Sequence, residues 1–242
     1  IMAKYILEAH KNAGTLPENA ALCKSIVSTD LVTKIAESYG ATMFNVLTGF
    51  KFIAEKIQEF EEKHNHTYMM GFEESFGYLI KPFVRDKDAI QAVLVVAELA
   101  AYYRSRGLTL ADGIEEIYKE YGYYAEKTIS VTLSGVDGAE QIKAIMAKFR
   151  ENGPKEWNAT EITVVEDFKA QTSTAADGTV TNLTTPPSDV LKYTLADGSW
   201  IAVRPSGTEP KIKFYIAVVG ESNEDSQAKI ANIEDEINAF VK

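Results

Sequence analysis

A single cysteine, Cys23, occurs among 242 residues, so no disulfide can form within the chain. That usage fits a reducing compartment and points to a cytoplasmic protein. No apolar run approaches the ~20 residues that a membrane-spanning helix needs, and no membrane partner is expected. The opening Ile1-Met2-Ala3-Lys4-Tyr5-Ile6 leads into amphipathic sequence with Glu8 and His10, and no secretory leader is expected from it. Its first residue is not methionine and a helical pattern is already under way, so the chain is read as a piece of a longer protein. Positive charge is scarce: 25 Lys and Arg face 35 Asp and Glu, a net charge of −10. Nucleic-acid binding needs a concentrated basic face, and that class is disfavoured. Histidine is scarce too. His64 and His66 lie apart from any cysteine or carboxylate cluster at ligand spacing, so no metal site is predicted. What remains, 45% hydrophobic and 25% charged, is a globular composition long enough for one large or two ordinary domains.

The first half alternates strand and helix signals. Met2, Ile6, Ala9 and Ala13 recur at helical spacing up to Gly14. Strands are predicted over 21–27, 42–47 and 67–70, and a helix over 50–63. Ser28-Thr29-Asp30 is expected to cap a helix that ends at Tyr39-Gly40. A long helix over 88–106 carries Val93, Leu94, Val96, Ala97, Leu99 and Ala100 and is expected to be well buried. Thr109-Leu110-Ala111-Asp112 resembles a capping box. The pattern predicts an α/β domain with a mixed, largely parallel sheet. The second half changes rhythm. Strands are predicted over 128–133, 161–168, 189–195, 199–203 and 211–219, with helices over 138–152 and 223–241. Residues 171–187, polar and ending in Pro186-Pro187, read as a mobile loop or a ragged hairpin. Four or five strands with two helices predict a smaller α+β domain with an antiparallel sheet. The domains are expected over 1–126 and 127–242.

Arg204-Pro205-Ser206-Gly207-Thr208-Glu209-Pro210-Lys211 is the most pointed motif. A hydroxyl and the N–H groups of a tight glycine turn can share one concavity and form an anion nest. Arginine adds a planar fork matched to phosphate oxygens. Lys211 and Lys213 alternate with Ile212 and Phe214, so both lysines should lie on one face of the strand. The competing reading is an ordinary hairpin turn with solvated lysines. A second motif, Gly71-Phe72-Glu73-Glu74-Ser75-Phe76-Gly77-Tyr78, offers carboxylates suited to sugar hydroxyls. An acidic polar loop is the competing reading. Glu73 and Glu74 are adjacent on an extended chain and should point to opposite sides, against joint action. A third, Arg85-Asp86-Lys87-Asp88, can cap the long helix and set a cation beside the acidic loop, or be surface salt bridges only. Cys23 reads as core rather than nucleophile.

Together the Gly71-to-Tyr78 and Arg204-to-Lys211 segments resemble the sugar-recognition and phosphate-binding loops of the α-D-phosphohexomutases. The likeness spans essentially the whole chain and is to the third and fourth domains of a four-domain phosphoglucomutase. It implies that Glu73, Ser75 and Arg85 bind the sugar, with Lys87 assisting proton transfer or phosphate binding. It implies that Arg204, Ser206, Gly207, Thr208 and Lys213 hold the phosphate that is not being transferred. The implied reaction interconverts glucose 1-phosphate and glucose 6-phosphate through a phosphoserine, Mg²⁺ and a glucose 1,6-bisphosphate intermediate. The implied partners are a hexose phosphate and the missing N-terminal domains. Neither the family's serine motif nor its aspartate-rich metal loop occurs in this sequence, so the fragment is expected to be inactive alone. Phe72, Phe76 and Tyr78 look closer to the glucose-type members. A phosphomannomutase-type enzyme and a stand-alone sugar-phosphate-binding module are the alternatives.

Overall fold

A computed structural model describes residues 1–133, 137–207 and 209–241. The chain forms two compact units, Ile1–Gly122 and Tyr123–Lys242. The first contains α1 (Met2–Asn12), β1 (Ala20–Ser25), α2 (Leu31–Ser38), β2 (Thr42–Val46), α3 (Phe50–Lys63), β3 (Thr67–Glu73), β4 (Gly77–Leu79), α4 (Ala89–Ser105) and α5 (Leu110–Tyr121). Its sheet runs β2-β1-β3-β4, with β1 parallel to β2 and β3, and β4 antiparallel to β3. This is the mixed, mostly parallel sheet expected.

β1 is buried along its whole length, as a central parallel strand must be. Its side chains alternate between two cores. Leu22 joins Ile6, Ile35, Leu99 and Ile117 from α1, α2, α4 and α5 on one face. Ala21 and Cys23 join Ile53 and Ile57 of α3 on the other. Three layers result, helix on sheet on helix. Burial pushes the Cys23 thiol up to about 12, which suits a core residue.

The second unit contains β5 (Tyr123–Thr132), α6 (Gly138–Asn152), β6 (Glu156–Trp157), β7 (Thr160–Asp167), β8 (Thr172–Ala175), β9 (Val180–Asn182), β10 (Leu191–Leu195), β11 (Trp200–Pro205), β12 (Lys211–Gly220) and α7 (Asn223–Val241). The sheet is antiparallel, in the order β5-β12-β11-β10-β7-β8-β9, with β6 paired to β7. Phe149 of α6 and Ile230, Ile233 and Ile237 of α7 pack with Ile201, Val203 and Phe214 of the sheet.

Several expectations need correction. Among the described residues the sheet of the second unit has eight strands, not four or five. Two of the additional ones, β8 and β9, form a polar hairpin inside the segment read as a loop or ragged hairpin. β5 begins at Tyr123 rather than 128, because ten residues of it pair with β12. β3 runs on to Glu73 because β4 pairs back on it. In the Ser28-Thr29-Asp30 segment the Thr29 hydroxyl accepts from the Leu31 N–H at 3.3 Å, while the Asp30 side chain makes no capping bond. Its carboxylate is instead 2.9 Å from the buried Lys24 ammonium, which has the stronger need of a charged partner. α4, expected to be well buried, buries only Leu99 and Tyr103 and leaves Ile90, Val93 and Leu94 exposed. Apolar content alone does not say whether a second surface covers the other side of a helix.

Candidate functional site

Parallel strands send their carboxyl ends to one edge of the sheet, where open α/β sheets bind ligands. Here those ends bring together Lys24 and Ser25 at the end of β1, Gly49 after β2, Glu73 at the end of β3, and Glu74 and Ser75 just beyond it. The Glu73 carboxylate accepts from the Gly49 N–H at 2.6 Å. The Glu74 carboxylate accepts from the hydroxyls of Ser25 at 2.7 Å and Ser28 at 3.2 Å. The two neighbouring carboxylates therefore have separate anchors. The fully buried Lys24 donates to the Ser28 carbonyl at 3.0 Å and pairs with Asp30.

Glu74-Ser75-Phe76 forms the tip between β3 and β4. Phe76 takes a left-handed φ of 63° and stands 86% exposed, and Ser75 is exposed beside it. Phe72, by contrast, lies in the core. A Cβ added to Gly77 would lie 3.0 Å from Lys87 Cδ and 3.5 Å from Glu73 Oε2. Lys87 and Glu73 thus converge over that glycine. The Lys87 ammonium is 2.9 Å from Asp86 Oδ1 and 5.6 Å from the centre of the Phe50 ring. Asp88 caps α4, accepting from the N–H groups of Ile90 and Gln91 at 2.9 and 3.3 Å. Arg85 is turned elsewhere. It pairs with Glu61 near the end of α3 and donates to the Pro82 carbonyl.

In the second unit, β11 and β12 set Arg204 directly opposite Lys213. Lys211 and Lys213 share one face, while Ile212 and Phe214 are fully buried on the other. The Ser206 N–H donates to the Lys211 carbonyl at 2.7 Å, and the Glu209 N–H donates to the Ser206 hydroxyl at 3.3 Å. Lys211 is already engaged by Glu209 at 2.8 Å, and that hydrogen bond holds the Glu209 carboxyl below its ordinary value. Neither Arg204 nor Lys213 has a salt-bridge partner among the described residues. Arg204, Ser206 and Gly207 line a cavity of about 610 Å³ together with Lys143 and Met146 of α6 and Asp189. Lys213 does not line it. Thr208, the remaining candidate, lies outside the described residues.

Lys24, Ser25, Ser28 and Gly49 were not anticipated at the first unit's candidate site, nor Lys143 at the second's. A lysine and a serine inside an otherwise apolar strand were the available signal, because a central parallel strand excludes such residues unless something pairs with them.

An α/β/α unit followed by an antiparallel α+β unit is an architecture shared with part of parafusin, a Paramecium phosphoglucomutase solved in an open form. The match to that structure has a TM-score of 0.64 at 17% identity and covers 99% of this chain and 40% of that one. Residues 1–121 match the family profile described as phosphoglucomutase/phosphomannomutase, alpha/beta/alpha domain III, and residues 137–239 match its C-terminal domain. The chain belongs to the phosphoglucomutase/phosphomannomutase family. It is 39% identical over 210 residues to a phosphoglucomutase of Staphylococcus aureus strain bovine RF122 / ET3-1, covering 86% of this chain. It is 36% identical over 233 residues to that of Staphylococcus haemolyticus, covering 96% of this chain. The chain spans only 38% and 41% of those relatives' lengths.

Proposed function

We propose that this chain is the substrate-holding part of a mutase that interconverts glucose 1-phosphate and glucose 6-phosphate. The cross-strand cations Arg204 and Lys213 are the observation that carries the reading. Like charges set opposite one another across a ladder destabilise it, and a bound phosphate would turn that liability into a double contact. Ser206, Gly207 and Thr208 would complete the cradle. Glu73 and Ser75, at the ends of the parallel strands, would take the sugar hydroxyls, with Lys87 beside them. Arg85 would join them only after leaving Glu61. The sugar-recognition role belongs to 1–126 and the phosphate role to 127–242 in this reading.

Phosphoryl transfer depends mostly on positioning and charge neutralisation. A bisphosphate intermediate, glucose 1,6-bisphosphate, must present either end of the sugar to the transferring group. One phosphate loop then has to hold whichever phosphate stays behind, and a broad cationic cradle suits that better than a tight pocket. The phosphoserine and the Mg²⁺ loop would belong to the part of the relatives that this chain does not span. Among the described residues no three His, Cys, Asp or Glu side chains gather as a metal ion requires.

Isothermal titration of this chain with glucose 1-phosphate, glucose 6-phosphate and glucose 1,6-bisphosphate tests the reading, with a coupled mutase assay alongside. Binding weakened at least tenfold by Arg204→Ala, with no turnover, is the expected result. Sugar-phosphate binding that is indifferent to Arg204 sinks it. Turnover by the chain alone overturns the assignment of the chemical step to other domains. Stronger binding of the mannose phosphates favours the mannose-type alternative.

A further inference from the structure

α4 has two apolar faces. At about 100° per residue, Val95, Leu99 and Tyr103 fall on one side, and all three belong to the core of the first unit. Ile90, Val93, Leu94, Ala97 and Ala101 fall within an arc of about 100° on the opposite side, and all five are exposed. Ile90 is 83% exposed, Val93 70% and Leu94 68%. No charged residue interrupts that stripe between Ile90 and Ala101. A helix at a protein surface normally turns polar residues outward, and one that is apolar all round is buried on both sides. A contiguous apolar patch on a chain of net charge −10 marks a place where another surface sits.

The relatives say which surface. This unit matches the domain numbered III, so domains I and II precede it in the family, and the chain covers only 38% and 41% of the relatives' lengths. Consecutive elements of a chain are usually neighbours in space. We infer that the exposed stripe of α4 is the seat of the domain that immediately precedes this unit in the intact protein. The interface is apolar and centred on Ile90, Val93 and Leu94. It rests on reading the chain as the later domains of a longer enzyme, but not on the roles given to the phosphate loop.

Amide hydrogen exchange over residues 89–101, compared between this 242-residue chain and the product of its native gene, is the test. Exchange of the α4 amides at least tenfold slower in the native product is expected. Leu94→Glu should remove that protection in the native product while leaving the melting temperature of the 242-residue chain unchanged. Equal exchange in the two proteins overturns the inference, as does a native product with nothing ahead of this unit. Concentration-dependent dimerisation of the 242-residue chain that Leu94→Glu abolishes also overturns it, since the occupant is then a second copy. Glucose 1,6-bisphosphate titration of the Leu94→Glu chain reads the phosphate loop separately. Equal α4 exchange in the two proteins with binding intact fails the docking inference alone, and slowed α4 exchange in the native product with no binding fails the phosphate-loop reading alone.

Discussion

Arg204 and Lys213 face each other across the β11–β12 ladder with no salt-bridge partner for either among the described residues. Lys213 is offset by the more distant charge of Glu209, and in the proposed reading both cations share one bound anion. Arg204→Ala should therefore weaken sugar-phosphate binding by about 1.5–3 kcal/mol. Lys213→Thr should weaken it too, while raising the stability of the unliganded chain by about 0.2–1 kcal/mol through relief of the cross-strand repulsion. Calorimetric titration and urea unfolding of the two variants check both signs. A Lys213→Thr protein less stable than its parent contradicts the repulsion argument.

The Lys24–Asp30 pair at the end of β1 is asymmetric. Lys24 is fully buried, whereas the Asp30 side chain is 34% exposed. Removing Asp30 strands a buried charge, while removing Lys24 leaves a carboxylate that water can reach. Asp30→Ala should cost about 3–5 kcal/mol, and Lys24→Met clearly less. Denaturant unfolding of both variants measures the difference, and equal losses would contradict the burial argument.

Gly71 lies in β3 just ahead of the tip between β3 and β4. A Cβ there would come within 2.6 Å of the Tyr68 hydroxyl and 2.7 Å of Ile53 Cγ2. Gly71→Ala should destabilise the chain by about 1–3 kcal/mol through overpacking. It should also displace the Tyr68 hydroxyl from the Leu79 carbonyl, which it reaches at 2.8 Å. A melting temperature equal to the parent's shows that the contact yields freely.

Arg150 ties α6 to the sheet through Asp167 at 2.9 Å and through Asp189. Burial by itself would raise the Asp167 carboxyl, but the hydrogen bond and charge of Arg150, together with the N–H groups of Ala170 and Lys169, outweigh it and the value is lowered. A depressed folded-state value means stability that is complete above the ordinary aspartate range, ~4, and is lost as pH falls through the lowered value. Acidification from neutrality should therefore destabilise the parent more than Asp167→Asn. Urea midpoints recorded from pH 7 to pH 3 test this, and parallel losses would refute it.

The strand–helix alternation of the first half and the capping box at Thr109 were legible because both are local. The box closes with Asp112 donated to by the Thr109 N–H at 2.8 Å and with the Asp112 N–H reaching the Thr109 hydroxyl at 3.2 Å. The two loops were legible for the same reason, since each packs its chemistry into one stretch of sequence. β8 and β9 were not resolved as strands, because short polar strands carry no alternation of apolar residues to read. Ser25, Ser28 and Gly49 escaped because they reach the tip from other strands, and pattern along the chain does not report which strand ends meet.

Sequence alone determined the helices, the longer strands, the two sheet types and the clustering of cations at 204–213, since periodicity, turn chemistry and charge spacing are properties of the chain itself. The tertiary structure decided what those groups face. It set Arg204 against Lys213, gave Glu73 and Glu74 different anchors, and drew Asp30 from its helix start to a buried lysine. It also left one side of α4 bare, where composition predicted burial. Each of these depends on what packs across from a residue, and strand pairing and layer stacking alone supply that.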